Sequence, residues 1–193
     1  MSGVVLAAGA STRMGMPKLL LPVGGEPLVR RTVRQVCDAG FDDVLVVLGS
    51  EWEKTLAALD GLPIRHAVNA DYATGMGSSF RTAVSHLGES EAAMFALADH
   101  PFVTTNEYRM VLDAWRQQSP AIVSVRYGEV VAPPHLWSRE FFPELAQLQH
   151  GARSVLQRHQ DRTLVLQFPP DLLMDLDTPE DYELVKARVA SGR

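Results

Sequence analysis

Val4-Val5-Leu6-Ala7-Ala8-Gly9-Ala10-Ser11-Thr12-Arg13-Met14-Gly15-Met16-Pro17-Lys18 decides how the rest of the chain is read. Val4 to Ala7 is a short apolar run stopped by Gly9, the pattern of a strand buried on both faces. The loop after it is built from small residues and two glycines, which lets backbone N–H groups approach a polyphosphate. Arg13 and Lys18 add the positive charge that a triphosphate requires. The loop fits neither G-x-x-x-x-G-K-[ST] nor G-x-G-x-x-G, so a P-loop ATPase and a dinucleotide-binding oxidoreductase are both unsupported. Taken alone, it is equally a phosphate cradle or a turn with two solvated cations.

Working outward, strands and helices alternate. Leu28 to Ala39 has helical periodicity and stops at Gly40, a plausible C′ glycine. Strands are expected at 44–48, 64–68 and 92–98, with helices at 51–59, 76–87 and 107–117 between and after them. Further strands are expected at 121–125, 130–132 and 164–168, and helices at 139–148, 152–159 and 179–189. Such alternation predicts a three-layer α/β fold with a mostly parallel sheet. The two strands around Gly128 are too close for a crossover helix, so a hairpin is expected there and the sheet is mixed. No linker or repeat divides the chain, and one domain over 1–193 is expected.

The net charge of -5 opposes a nucleic-acid surface, which needs a basic footprint. One cysteine, Cys37, excludes an intrachain disulfide framework and reads as a buried, inert thiol. The first residues lack the basic start of a signal peptide, and no apolar run approaches the ~20 residues of a membrane span. A reducing cytoplasm is the expected home.

Ligands of open α/β sheets sit at the carboxyl ends of the strands. That rule gathers the loops after the first, third and fourth strands and the segment 175–178 into one candidate site. Asp99 ends the apolar run 92–98, and His100-Pro101 then keeps the chain extended. An acid there reads as a ligand for Mg²⁺, which takes one or two carboxylates plus phosphate oxygens and water. In Asp175-Leu176-Asp177-Thr178-Pro179-Glu180-Asp181, Thr178, Pro179 and Asp181 are accounted for as a helix start. Strand alternation would put Asp175 and Asp177 on one side, with Asp177 ranked first as the second acid.

Leu6, Ala7, Ala8, Gly9, Ser11, Arg13, Met14, Gly15 and Lys18 together resemble the opening signature L-A-A-G-x-S-x-R-M-G-x-x-K of the molybdenum cofactor nucleotidyltransferases. The resemblance implies a Rossmann-like nucleotidyltransferase fold and transfer of a nucleoside monophosphate from an NTP to a small phosphorylated acceptor, with molybdopterin first among acceptors. It implies that the loop wraps the triphosphate and that Arg13 and Lys18 contact phosphates. Leu-Ala-Ala-Gly rather than Leu-Ala-Gly-Gly favours CTP over GTP. The family's Asp-x-Pro and D-x-D-T-P-E-D strings agree with Asp99 and Asp177 as metal ligands. Asn69, Gly75 and Ser78 or Ser79 match a block expected to touch base or ribose. Asp175, His135 and Arg153 are the acceptor-side residues, although the Gly-Asp common before Gly-Ala-Arg is replaced here by Leu148-Gln149-His150. A transient contact with a molybdoenzyme or its maturation factor follows from the same resemblance. Two alternatives stay open: the same chemistry with GTP or on another small phosphorylated acceptor, and a non-catalytic nucleotide-binding accessory protein of cofactor insertion.

Overall fold

The computed structural model describes residues 1–9 and 14–191. Strands β1 (Ser2–Ala7), β2 (Pro22–Val23), β3 (Glu26–Pro27), β4 (Asp43–Leu48), β5 (Arg65–Val68), β6 (Ala92–Leu97), β7 (Ile122–Tyr127), β8 (Val130–Val131), β9 (His135–Ser138) and β10 (Thr163–Phe168) are the extended elements. The helices are α1 (Leu28–Cys37), α2 (Trp52–Ala58), α3 (Met76–Ser85), α4 (Thr105–Gln118), α5 (Phe142–Leu145), α6 (Arg153–Arg158) and α7 (Pro179–Ala190).

β1 is buried at all six positions because it lies inside the sheet, paired in parallel with β4 on one side and β6 on the other. The main sheet runs β10-β7-β9-β6-β1-β4-β5, with β8 added to β7. β7 and β10 are parallel, whereas β9 is antiparallel to both β6 and β7. The hairpin expected at Gly128 is β7–β8, and Gly128 sits at φ 59° in its turn, a conformation that favours glycine.

Alternation along the strands splits the core into two layers. Val5 and Ala7 face α1, α4 and α7, packing with Val33, Val111 and Val185. Val4 and Leu6 face α3, α5 and α6, packing with Phe80, Leu145 and Val155. The result is the expected three-layer, mixed α/β fold of Rossmann-like type. α4 and α7 each begin with a capping box, Thr104 with Glu107 and Thr178 with Asp181, so their start points are fixed by sequence.

Three expectations are corrected. The single helix over 139–148 is a 3₁₀ turn at Arg139–Phe141 followed by the short α5, with Pro143 in its first turn. β9 was not foreseen, because four residues after Pro133-Pro134 carry too little alternation to read as a strand. Residues 174–178 form no strand, since Leu176 goes into the core and the segment pairs with no neighbour in a ladder. Cys37 is half-buried, with burial raising its thiol pKa. Among the described residues no helix is long and apolar enough to cross a membrane.

Candidate functional site

The carboxyl ends of β1 and β6 lie side by side, and the chain leaves both toward the same edge of the sheet. The Leu6–Gly9 stretch forms one wall of a cavity of about 310 Å³ there, and Leu97, Ala98 and Asp99 form a second. Tyr72, Gly75, Met76 and Ser79, at the entry to α3, form the third. Gly75 has φ 113° in the turn before α3, a backbone setting that a side chain would strain.

Lys18 begins a 3₁₀ turn whose next residue, Leu19, is anchored in the core, so the ammonium is carried into the cavity. Its Nζ donates to Asp99 Oδ2 at 2.6 Å and to Asp177 Oδ1 at 2.7 Å. The Lys18 side chain is 11% exposed and the two aspartates 23% and 24%, so these are short, charge-assisted bonds in a shielded place. Burial by itself would lower the Lys18 pKa; Asp99 and Asp177 outweigh it and hold the ammonium above the ordinary lysine value. Two carboxylates therefore converge on one cation, supplied by the protein itself.

The segment bearing Asp177 has no ladder to hold it. Leu176 is fully buried, and its N–H donates to the Asp99 carbonyl at 3.3 Å. Asp175 points elsewhere than the strand reading predicted, its Oδ1 lying 2.8 Å from His100 Nε2. The Asp177 N–H donates to Asp181 Oδ2, which ties this residue to the α7 cap.

Leu6, Ala7, Ala8, Gly9, Lys18, Gly75, Ser79, Asp99 and Asp177 all line the cavity. Asn69 and Ser78 lie behind its wall instead. The Asn69 Nδ2 donates to Ser78 Oγ at 2.8 Å and to Ser79 Oγ at 3.1 Å, and Ser78 Oγ donates to the Gly75 carbonyl. Those bonds fix the shape of the loop entering α3. Ser11 and Arg13 lie outside the described residues.

The acceptor-side residues separate. His135 is buried within β9, its Nδ1 3.3 Å from Ser124 Oγ; burial, with repulsion from His100, pushes its pKa down to about 3. Arg153 is exposed on α6 and lines a second cavity of about 460 Å³, together with Arg126, Gln157 and Gln160. Arg126 alternates with Ile122 on β7, and Ile122 packs in the layer of α3, α5 and α6 that also receives Leu97. The second cavity thus opens on the same face of the sheet as the first. Sequence reading missed His100, Tyr72, Met76 and Arg126; His100 was visible only as the middle residue of Asp-x-Pro.

Among the described residues no group of three or more His, Cys, Asp or Glu is placed to hold a metal. The donor set at Lys18 is two carboxylates, which fits an oxygen-seeking dication that takes its other ligands from phosphate and water.

The chain is 31% identical over 202 residues to the purine catabolism protein PucB of Bacillus subtilis, covering 95% of each. It is 30% identical over 175 residues to nicotine blue oxidoreductase of Paenarthrobacter nicotinovorans, covering 75% of this chain and 85% of that one. The crystal structure of a manganese complex of Rv0371c from Mycobacterium tuberculosis superimposes with a TM-score of 0.77 at 29% identity, over 96% of this chain and 97% of that one. Residues 3–163 match the MobA-like NTP transferase domain, and the chain belongs to that family of nucleotidyltransferases.

Proposed function

We propose that this chain, acting as one NTP-transferase domain, is a metal-dependent enzyme that transfers a nucleoside monophosphate from an NTP to a small phosphorylated acceptor. The observation that carries the reading is the convergence of Asp99 and Asp177 on Lys18 beside the β1 loop. A protein that merely bound nucleotide would not need two carboxylates at that point.

In this reading the backbone from Ala8 onward receives the triphosphate, and Arg13 and Lys18 neutralise its charge. Asp99 and Asp177 hold the divalent ion, Mg²⁺ by expectation, and the manganese in the Rv0371c complex supports a divalent cofactor. When bound, that ion supplies Lewis-acid charge neutralisation at the phosphates. An acceptor phosphate oxygen forms a bond to the α-phosphorus, and the bond from the α-phosphorus to the α–β bridging oxygen breaks. Pyrophosphate leaves with the electron pair. No side chain forms a covalent intermediate; the residues align the two phosphates and offset charge. Lys18 then has two tasks, keeping the carboxylates neutralised before substrates arrive and donating to phosphate afterwards.

CTP is favoured by Ala7-Ala8-Gly9. Molybdopterin is the first acceptor to test, with a molybdoenzyme or its maturation factor as the recipient of the product. The anionic remainder of the acceptor lies across β9, toward Arg126 and Arg153.

The test is pyrophosphate release with Mg²⁺ or Mn²⁺ and each of CTP, GTP, UTP and ATP, with and without molybdopterin. Release from CTP only when molybdopterin is present supports the full reading. Nucleotide binding without release favours the accessory-protein alternative. Because one relative is named an oxidoreductase, NAD(P)H oxidation is assayed in parallel, and turnover there without pyrophosphate release would overturn the transferase reading.

A further inference from the structure

The segment 174–178 brings Asp177 to the site without a strand ladder; buried Leu176 and the Asp177 N–H bond to Asp181 fix its C-terminal side, and its N-terminal side, at Asp175, meets His100. His100 is suited to holding that side. It is 2% exposed, it lies between Asp99 and Pro101, and its Nε2 lies 2.8 Å from Asp175 Oδ1. Its flanks are fixed as well: the Leu176 N–H donates to the Asp99 carbonyl, and Arg31 Nε donates to the Pro101 carbonyl. A buried ring on an anchored turn is a rigid post, and Asp175 is two residues from Asp177. The Asp175 carboxylate is itself 55% exposed, so burying it is not what the contact achieves. What the contact does is dock an irregular segment against the residue that follows Asp99.

We propose that His100 is a positioning residue: by gripping Asp175 it holds Asp177 opposite Asp99 and so presets the spacing of the carboxylate pair. The inference rests on the reading of Asp99 and Asp177 as the metal-binding pair. Beside the anchors at Leu176 and Asp177, a further contact at Asp175 narrows the conformations left to the segment, and each freedom not removed at folding costs free energy when the pair assembles. The His100–Asp175 contact takes that cost at folding. Partners that orient a ligand without touching the metal commonly contribute 10–100-fold to affinity.

The experiment measures Mn²⁺ affinity of the full chain, by the electron paramagnetic resonance signal of free Mn²⁺, for wild type and six variants. Asp175→Ala approaches the pair from its exposed side and leaves the core intact. It is expected to weaken Mn²⁺ binding about 10–100-fold with little change in thermal midpoint. His100→Ala should weaken it similarly, and His100→Gln, which keeps an N–H donor, should recover most of the loss. The double variant His100→Ala with Asp175→Ala should bind no more weakly than the worse single one. Wild-type affinity in Asp175→Ala, or loss in Asp175→Ala with none in His100→Ala, would overturn the strap; the second result would make Asp175 a direct ligand. Asp99→Asn and Asp177→Asn separate the two readings. If both retain wild-type affinity, the metal site itself is misassigned and the inference falls with it. If both lose affinity while the His100 and Asp175 variants keep it, the strap alone is wrong.

Discussion

Lys18 joins three segments that are far apart in the chain: its own turn after β1, the end of β6 and the stretch before α7. Replacing it with methionine keeps the buried stem and removes the charge, leaving two carboxylates facing each other. We expect Lys18→Met to lower stability by about 1–3 kcal/mol, less than for a fully buried pair because both aspartates are partly hydrated. Turnover should fall about 10²–10³-fold. Millimolar Mn²⁺ should return the lost thermal stability but not the turnover, because a dication can replace the ammonium between the carboxylates but not at the phosphates. His135 gives a residue-scale prediction in pH. Its folded pKa of about 3 lies below the unfolded value of about 6.5, so the unfolded chain binds a proton there that the folded chain refuses. Stability from this group is fully present above pH 6.5 and is lost as pH falls from there toward 3. Between pH 7 and pH 5 the loss should be about 2 kcal/mol. Urea unfolding at both pH values should show the wild type losing that much more than His135→Asn. Equal losses would mean that His135 is not the group responsible. The sequence made Asp99 legible because it ends an apolar run, and Lys18 because it puts charge into the glycine-bearing loop after the first strand. It left His135 and Arg153 undecided, because neither burial nor the face of an element can be read from an isolated residue.

At the scale of elements, the entry to α3 is where backbone approaches backbone. A Cβ on Gly77 would lie 2.2 Å from the Leu148 carbonyl oxygen and 2.6 Å from the Gln149 carbonyl carbon. The same Leu148 carbonyl accepts from Arg81 Nη1, so the 148–149 stretch is pinned to α3 from two points. Alanine normally helps a helix by about 1 kcal/mol over glycine. Overpacking against backbone costs about 1–3 kcal/mol, and here it should win. Gly77→Ala is therefore expected to lower the thermal midpoint by a few degrees, measurable by circular dichroism. Gly9→Ala is the contrasting case: among the described residues nothing lies within 4 Å of its Cβ, and it lines the cavity. That variant should keep its midpoint and lose nucleotide affinity. A Gly9→Ala protein with unchanged NTP KM would argue that phosphate does not approach this backbone. Elements with strong periodicity or caps were legible in advance. The capping boxes at Thr104 and Thr178 show why: the signal is local and chemical. The break at Pro143 and the short β9 were not legible, since their conformations answer to α3 and to β6 and β7 rather than to their own residues.

At the scale of the whole molecule, strand order is what the sequence withheld. Alternation predicts a parallel sheet, yet nothing in His135–Ser138 says that it slips between β6 and β7. That insertion sets the distance between the two cavities. β7 is two strands from β6, about 10 Å across the sheet. Arg126 and Arg153 therefore stand to one side of Asp99, on the same face; under the proposed reading they receive the anionic remainder of the acceptor. If that division of labour holds, Arg126→Ala and Arg153→Ala should each raise acceptor KM about 10-fold, the loss of one charge-assisted hydrogen bond. NTP KM should stay within about twofold, since the triphosphate residues belong to a different edge of the site. The pair of variants is informative because a general disturbance of the fold would move both constants together. Steady-state kinetics with each substrate varied at saturating levels of the other reads the split directly. An equal rise in both would place the arginines at the nucleotide, or show them to be scaffold. No rise in either would remove the second cavity from the acceptor's path.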